Sequence, residues 1–190
     1  MVFPLAFSAL SFQSALAEDK TALPSGERTI TLSSPSGASL VIGTVSFMDE
    51  DGGGGEGETR SFKVQWAEEP FGDHFLSMRP FKCLEGEVQY LCHVPYPYET
   101  KRTISSDDLV DLEYAFLFIH KSPNEYGINM WNGLYWRMEQ KGSGFSGRLY
   151  EVDMDILAAP PDDGSLRPIT PDHLTEADPD AYWLPVLTIE

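Results

Sequence analysis

The chain has 190 residues, which suits a single domain, and its 13 basic and 30 acidic residues give a formal net charge of −17. So much negative charge repels polyanions, which argues against nucleic-acid binding and against an anionic membrane surface as a partner. Hydrophobic residues make up 42% of the chain and aromatic residues 12%, and this composition excludes a disordered chain.

The first 17 residues carry the pattern of a signal peptide. They hold no charged residue and one apolar stretch, and they end in the small-x-small motif Ala-Leu-Ala that signal peptidase accepts. The stretch is shorter than the about 20 residues of a membrane span, and no later segment predicts one. We therefore predict cleavage between Ala17 and Glu18, a flexible leader over residues 18–27, and a protein exported to the periplasm or outside the cell.

After the leader, short runs alternate apolar and polar residues, as half-buried antiparallel strands do. Residues 40–48 form one such run, with Val41, Val45 and Phe47 predicted on one face. Four consecutive glycines at 52–55 predict a mobile hairpin tip after it. The other candidate strands cover residues 29–32, 61–66, 74–84, 88–94, 114–119, 150–156 and 182–189.

Cys83 and Cys92 are the only cysteines, and an even pair in an exported chain predicts a disulfide. A two-residue turn between their strands would leave the pair out of register. A four-residue loop over residues 86–89 instead places Cys83 directly opposite Cys92, within disulfide range. The disulfide and the wider loop are therefore one prediction. The pair lacks the Cys-x-x-Cys spacing of a redox-active site.

Local signals predict three further features. Ser105 followed by Asp108 has the spacing of a capping box and predicts a short helix. The pair Asn132 and Gly133 predicts a tight hairpin turn. Thr170, followed by a proline, predicts a single helical turn.

These signals together predict an all-β fold with minor α content. We expect an antiparallel meander of roughly eight to ten strands, with one or two short helices, that forms a barrel-like or sandwich domain over residues 28–190. Pro185 predicts that the last strand lies at a sheet edge. Residues 158–181 are rich in proline and acidic residues and predict a long acidic loop region.

The aromatic residues supply the candidate ligand site. Alternation places Trp131 and Tyr135 on one face of a strand and Trp136 on the other. Either the sheet is covered on both sides or one aromatic row lines a cavity. The predicted ligand is a small apolar or aromatic molecule or a protein segment, and the predicted ligand-binding residues are Tyr96, Tyr98, Tyr126, Trp131, Tyr135 and Trp136.

Catalytic and metal signals are weak throughout the chain. Glu151, Asp153 and Asp155 alternate along one candidate strand, where two carboxylates can serve glycoside hydrolysis or hold a hard cation, although acids on a strand face are usually solvated. No nucleotide-binding loop or nucleophile motif is present, and no cofactor or metal is predicted. The four histidines lack metal-ligand spacing and are interpreted as structural: His74, His93, His120 and His173.

Three functions are compatible with this sequence. The first is an exported, β-barrel-like binding module. The alternatives are a secreted hydrolase that uses carboxylates such as Glu151 and Asp153, and an envelope interaction or assembly protein whose acidic C-terminal half meets a basic partner.

Overall fold

The computed structural model describes residues 22–49, 59–75, 80–160 and 166–190. This part of the chain contains one α-helix, α1 (Val110–Tyr114), and four 3₁₀ turns (Met130–Asn132, Met154–Leu157, Pro171–His173 and Pro179–Ala181). It also contains twelve strands: β1 (Gly26–Ser33), β2 (Ser39–Asp49), β3 (Arg60–Trp66), β4 (Phe71–Phe75), β5 (Pro80–Glu85), β6 (Tyr90–His93), β7 (Thr103–Ile104), β8 (Phe118–Lys121), β9 (Gly133–Lys141), β10 (Gly144–Val152), β11 (Thr175–Glu176) and β12 (Val186–Ile189).

All twelve strands belong to one antiparallel sheet, which confirms the predicted all-β class with minor α content. The strand order is β4-β5-β6-β8-β9-β10-β12-β1-β2-β3-β7, and β11 pairs with β10 outside this path. The count exceeds eight to ten because β7 and β11 have only two residues each and because the candidate strand 74–84 divides into parts of β4 and β5.

The sheet curls until its inner face packs against itself, but it does not close. Phe47 on β2 meets Phe145 on β10 with ring centroids 5.6 Å apart, and Trp66 on β3 meets Phe118 on β8 at 6.0 Å. No ladder joins the terminal strands β4 and β7 within the described ranges. The result is a barrel-like sheet with an open seam next to β3.

The sheet is covered on both sides over part of its width. Its inner face holds the larger core, which includes Trp136 and Phe118. The outer face of the β5-to-β10 region holds a second core, in which residues such as Ile119 and Tyr135 pack under Met154. Met154 belongs to the 3₁₀ turn that follows β10. Apolar side chains therefore occur on both faces of β9, because both faces of this strand are covered.

A β-bulge corrects the predicted face of β2. The ladder with β1 pairs Ile30 with Gly43 and then Thr31 with Val41, so the alternation changes phase at this point. Ile42 is consequently buried, whereas Val41 is 53% exposed. Glycine is required here because a Cβ atom on residue 43 would lie 2.4 Å from the backbone oxygen of Gln65 on β3.

The hairpin predicted at Asn132 and Gly133 is wrong. Residues 130–132 form a 3₁₀ turn, and Gly133 is extended and begins β9. A Cβ atom on Gly133 would lie 2.3 Å from the carbonyl oxygen of Val152, so close packing against β10 explains this glycine. The reversal between β9 and β10 comes instead at Gly142, which has a φ of +58°.

The last strand is central, which contradicts the edge position predicted from Pro185. β12 begins at Val186, after the proline, so every residue in its ladders has an N–H group. It lies between β10 and β1 and pairs Leu187 with Gly147 on one side and Leu32 on the other. The proline precedes the strand and leaves both ladders intact.

Both parts of the cysteine prediction, the disulfide and the four-residue loop, are confirmed. Cys83 on β5 lies opposite Cys92 on β6, the sulfur atoms are bonded, and the loop between the strands covers residues 86–89.

The helix predicted near Ser105 begins later, at Val110, and the turn predicted after Thr170 is present as Pro171–His173. The candidate strand 114–119 is extended only from Phe118 onward.

Several predictions fall partly or wholly outside the described residues. These are the signal peptide over residues 1–17 and the glycine-rich tip at 52–55. Of the predicted leader, residues 22–27 are described; Leu23 is buried in the inner core and β1 begins at Gly26. In the described portion of the chain, no helix is both long and apolar enough to cross a membrane.

Candidate binding cleft

The structure separates the six predicted ligand-binding aromatics into three places. Tyr135 and Trp136 are buried in β9 on opposite faces of the sheet. Tyr126 is 97% exposed, and Trp131 is 70% exposed in the turn before β9. Tyr96 and Tyr98 line the larger cleft of the described structure, and Tyr135 also borders a smaller cavity.

The two buried aromatics are committed to packing. The Nε1 of Trp136 donates a hydrogen bond to the carbonyl oxygen of Pro185 at 2.8 Å, and its ring meets Phe118 edge-on. The hydroxyl of Tyr135 donates to the buried carboxyl group of Glu113. Trp136 therefore presents no face to a ligand, and Tyr135 is held by Glu113 although it borders the smaller cavity.

The cleft opens at the seam of the sheet, between β3 and the loop that follows β6. We name it the seam cleft; its volume is about 560 Å³. Three groups of residues form its walls: the inner face of β3, the segment from His93 to Arg102, and the end of α1. The lining residues are Phe62, Val64, Trp66, His93, Pro95, Tyr96, Pro97, Tyr98, Glu99, Thr100, Arg102, Asp111, Tyr114 and Ala115.

Trp66 forms the β3 wall and is the largest aromatic surface of the cleft. It is only partly buried, and its ring lies 4.4 Å from the ring of His93 and 5.7 Å from that of Phe116, measured between centroids. Contact with these rings fixes its orientation. The part that the core leaves uncovered faces the cleft.

His93 is a neutral side chain in the same wall. Its Nε2 donates to the backbone oxygen of Ala115 at 3.2 Å, which leaves Nδ1 as the unprotonated nitrogen. Burial lowers the pKa of His93 to about 4, although the hydrogen bond to Ala115 acts in the opposite direction. At neutral pH the imidazole therefore contributes an uncharged aromatic surface.

Tyr96 and Tyr98 lie in a loop whose prolines, Pro95 and Pro97, end the preceding strand. Tyr96 stacks on Tyr114 with ring centroids 4.4 Å apart and meets Tyr98 edge-on at 5.5 Å. Its hydroxyl donates to the backbone of Leu166, and that of Tyr98 donates to Leu157 at 2.8 Å. These bonds anchor the C-terminal segment, and the rings remain as one wall of the cleft.

Burial and the charge of Asp111 help to keep the Tyr96 hydroxyl protonated. Burial, followed by the effects of Tyr98 and Asp111, raises the pKa of Tyr96 to about 12, and Arg167 opposes the shift. The hydroxyl therefore donates its hydrogen bond across the neutral pH range.

Asp111 also lines the cleft, and one oxygen of its carboxyl group is unsatisfied. Asp111 on α1 is only 3% exposed, and its Oδ1 accepts hydrogen bonds from the Nε and Nη2 of Arg167 at 2.9 and 2.6 Å. Arg167 also donates to Asp108 at 2.7 Å. The second oxygen of Asp111, Oδ2, is buried without a hydrogen-bond partner in the described structure.

A smaller cavity of about 390 Å³ lies on the outer face, between α1 and β9. Its buried acid is Glu113, which accepts hydrogen bonds from the Tyr135 hydroxyl and from the backbone N–H of Met138, the latter at 2.7 Å. Burial raises the pKa of Glu113 despite these two bonds, which lower it. Both oxygens are satisfied, so the group links α1 to the sheet and offers nothing to a ligand.

The three acids predicted on one strand do not share it, which corrects the sequence interpretation. β10 ends at Val152, and Asp153 caps the following turn by accepting a hydrogen bond from the N–H of Asp155 at 2.9 Å. Asp155 accepts from the Nε1 of Trp131 at 2.8 Å, and Glu151 from the hydroxyl of Tyr182 at 2.6 Å. Each acid thus has a local structural contact.

Sequence reasoning identified the Tyr96 and Tyr98 wall but missed the rest of the cleft. Trp66 looked like a core residue in a regular strand, and His93 like a structural neighbour of a disulfide. Asp111 had no local signal in the sequence, because its distinguishing feature is an unpaired oxygen, and pairing depends on residues that are distant in the chain.

Across the four described ranges, no three His, Cys, Asp or Glu side chains converge as a metal site.

Comparison with known proteins adds no assignment. No protein-family model, curated protein or solved structure matches this chain.

Proposed function

We propose that this chain is an exported binding module whose ligand presents a flat apolar or aromatic group to the seam cleft. The supporting observation is the open cleft of about 560 Å³, where Trp66, His93 and Tyr96 converge with a few charged groups. This volume lies within the roughly 300–1,000 Å³ that is typical of ligand sites, and the lining combines aromatic rings with polar groups.

Three charged residues line the cleft, namely Glu99, Arg102 and Asp111, and can supply polar contacts in such a site. Asp111 has an unpaired oxygen, Oδ2, that is buried, and Arg102 is an exposed cation of the lining. The backbone of Arg102 has a φ of +53°, a left-handed conformation that is uncommon for a side chain of this size and that recurs at functional sites.

The cleft is tested by titrating the neutral fluorophore N-phenyl-1-naphthylamine into the purified protein. We expect its emission to rise with saturation, and we expect Trp66→Leu to weaken binding by about tenfold, because this ring provides the largest aromatic surface of the cleft. Trp131→Leu is the matched control, since Trp131 lies outside the cleft, and its affinity should stay within about twofold of wild type.

Two outcomes would contradict the proposal: absence of saturable binding, and equal loss of binding in the two tryptophan variants. Because Trp66 also packs against the core, Tyr98→Leu provides a second cleft variant. Thermal unfolding of every variant shows whether a loss of binding reflects the cleft or the fold.

The exported location is supported by the Cys83–Cys92 disulfide, since such bonds persist in oxidising compartments. Mass spectrometry of protein recovered from the periplasm or medium of a secreting host should give a mature chain that begins at Glu18 and has no reactive thiol. A protein that stays in the cytoplasm of that host with residues 1–17 attached would contradict export, and two free thiols in the recovered protein would contradict the disulfide.

A further inference from the structure

We propose that the seam cleft takes an extended peptide segment, which adds to β3 as an antiparallel strand in line with β7. The inference rests on the proposed function, because it names the ligand class of the same cleft. The evidence for strand addition is the backbone of β3, whereas the evidence for the proposed function is the aromatic walls of the cleft.

The hydrogen bonds around β3 show which of its backbone groups face the cleft. Ala67, just past the end of the strand, donates its N–H to the carbonyl oxygen of Ile42 at 3.0 Å, so odd-numbered residues direct their backbone groups toward β2. Phe62 donates in the opposite direction, to the carbonyl oxygen of Arg102 at 2.9 Å. Even-numbered residues therefore direct their N–H and C=O groups toward the seam.

Among the described residues, this edge of β3 is paired only at its beginning. β7 pairs with Arg60 and Ser61, and beyond the bond to Phe62 no backbone hydrogen bond joins the seam edge to another described residue. Val64 and Trp66 consequently present unpaired backbone groups beside the cleft. An unpaired edge of this kind is a template for strand addition. The free run spans roughly 10 Å, which matches about three to four residues of extended peptide.

The direction of β7 and the flanking charges give the ligand a polarity. A strand in line with β7 and antiparallel to β3 has its C-terminal end at Arg102, whose exposed guanidinium makes no hydrogen bond or ion pair with other described residues. Its N-terminal end reaches the end of β3, after which Glu68 and Glu69 are exposed. Charge complementarity therefore favours a segment with a basic N-terminal end and a carboxylate at its C-terminal end.

The cleft also specifies the alternation of the ligand side chains. Every second side chain of an added strand points to the inner face, where Trp66, His93 and Tyr96 form an aromatic surface. The intervening side chains point outward to solvent. The fitting segment therefore carries aromatic or aliphatic residues at alternate positions and polar residues between them.

The test uses pooled synthetic hexapeptides with an N-terminal lysine, alternating apolar and polar positions and a free C-terminal carboxylate. Binding to the full protein is measured by calorimetry, and the strongest binder is remade with a single N-methyl group at each position in turn. We expect methylation at alternate positions to weaken binding by about tenfold, because only every second N–H of an added strand faces β3, and methylation at intervening positions to have little effect.

Variants at the rim test the polarity of the bound peptide. Amidation of the peptide C terminus should weaken binding to the wild-type protein. In Arg102→Gln, the peptide with a free carboxylate and the amidated peptide should bind with the same affinity. Lys101→Gln is the matched control, because Lys101 is an exposed neighbour outside the cleft lining, and it should retain the difference.

Failure of this inference can be told apart from failure of the proposed function. If N-phenyl-1-naphthylamine binds but no peptide pool does, or if N-methylation lacks an alternating effect, strand addition is overturned while the cleft remains a ligand site. If neither probe binds, both proposals fail. Concentration-dependent dimerisation that excludes the peptide would assign the β3 edge to a second copy of the chain and would also overturn the peptide.

Discussion

The two halves of the sheet bury their side chains differently. In β1–β3 only the inner face is covered, and outward residues such as Val41, Lys63 and Gln65 are exposed. In the region from β5 to β10 both faces are covered, so that outward residues such as Ile119 and Tyr135 are buried. The seam cleft opens where the loop and helix beside the covered half meet the edge of β3. This comparison indicates that the position of the seam cleft depends on where the residues that cover the outer face of the sheet end.

The largest expected effect compares the outer faces of the two halves directly. Ile119→Ala should lower the free energy of unfolding by about 2–5 kcal/mol, because it leaves a cavity beneath the outer cover. Val41→Ala removes an apolar side chain from the same face of the uncovered half and should change stability by no more than about 0.5 kcal/mol. Urea denaturation measures both values, and equal losses would refute the distinction between the halves.

The second effect concerns His93, which belongs to the covered half but contacts Trp66 of the other half. Its pKa is lowered to about 4 in the folded protein from an ordinary value of 6.5, so the unfolded chain binds the proton more readily between these values. Stability should therefore fall as the pH drops from 6.5 to about 4, by up to about 3 kcal/mol for this group, and the contribution should be fully present above 6.5.

The control for this titration is His93→Gln, which keeps a donor for the carbonyl oxygen of Ala115 but does not titrate. Its stability, measured by urea denaturation from pH 4 to 8, should decline less steeply than that of the wild type toward acid. Parallel profiles would show that His93 is already accessible to protons in the folded state.

The third effect concerns the disulfide, which lies within the covered half. Replacing Cys83 and Cys92 together by alanine should lower stability by about 2–3 kcal/mol on the chain-entropy model, because the bond closes a loop with a sequence separation of 9. Denaturation of the reduced wild-type protein should give a similar loss. If the double variant were as stable as the oxidised protein, the outer core alone would hold β5 against β6.

Much of the architecture could be predicted from local sequence, because strand periodicity and the spacing of Cys83 and Cys92 are local properties. The errors arose where distant chain segments decide the outcome. The position of β12 depends on two partners far away in sequence, and the glycine at 133 reflects close packing against β10 and not a turn. Neither effect has a signature in the neighbouring residues.

The candidate site was harder to predict than the fold for the same reason. The prolines around Tyr96 and Tyr98 marked an aromatic loop, and the structure places that loop in the cleft. The cleft itself, however, depends on which part of β3 lacks a partner, and no alternation pattern contains that information. Trp66 alternates like any core residue, although only part of its ring is covered.

The smallest expected effect concerns Trp131, an exposed aromatic of the predicted site. Its Nε1 donates to Asp155 at 2.8 Å, but both side chains are exposed, so water and salt weaken the contribution of this bond. Trp131→Phe should lower stability by less than about 1 kcal/mol, and Asp155→Ala by a similar amount. In a double-mutant cycle followed by urea denaturation, the two losses should not add, because both variants disrupt the same hydrogen bond. Fully additive losses would mean that the two side chains act independently. A loss of fluorophore binding in Trp131→Phe would instead place a ligand surface on the covered half, away from the seam.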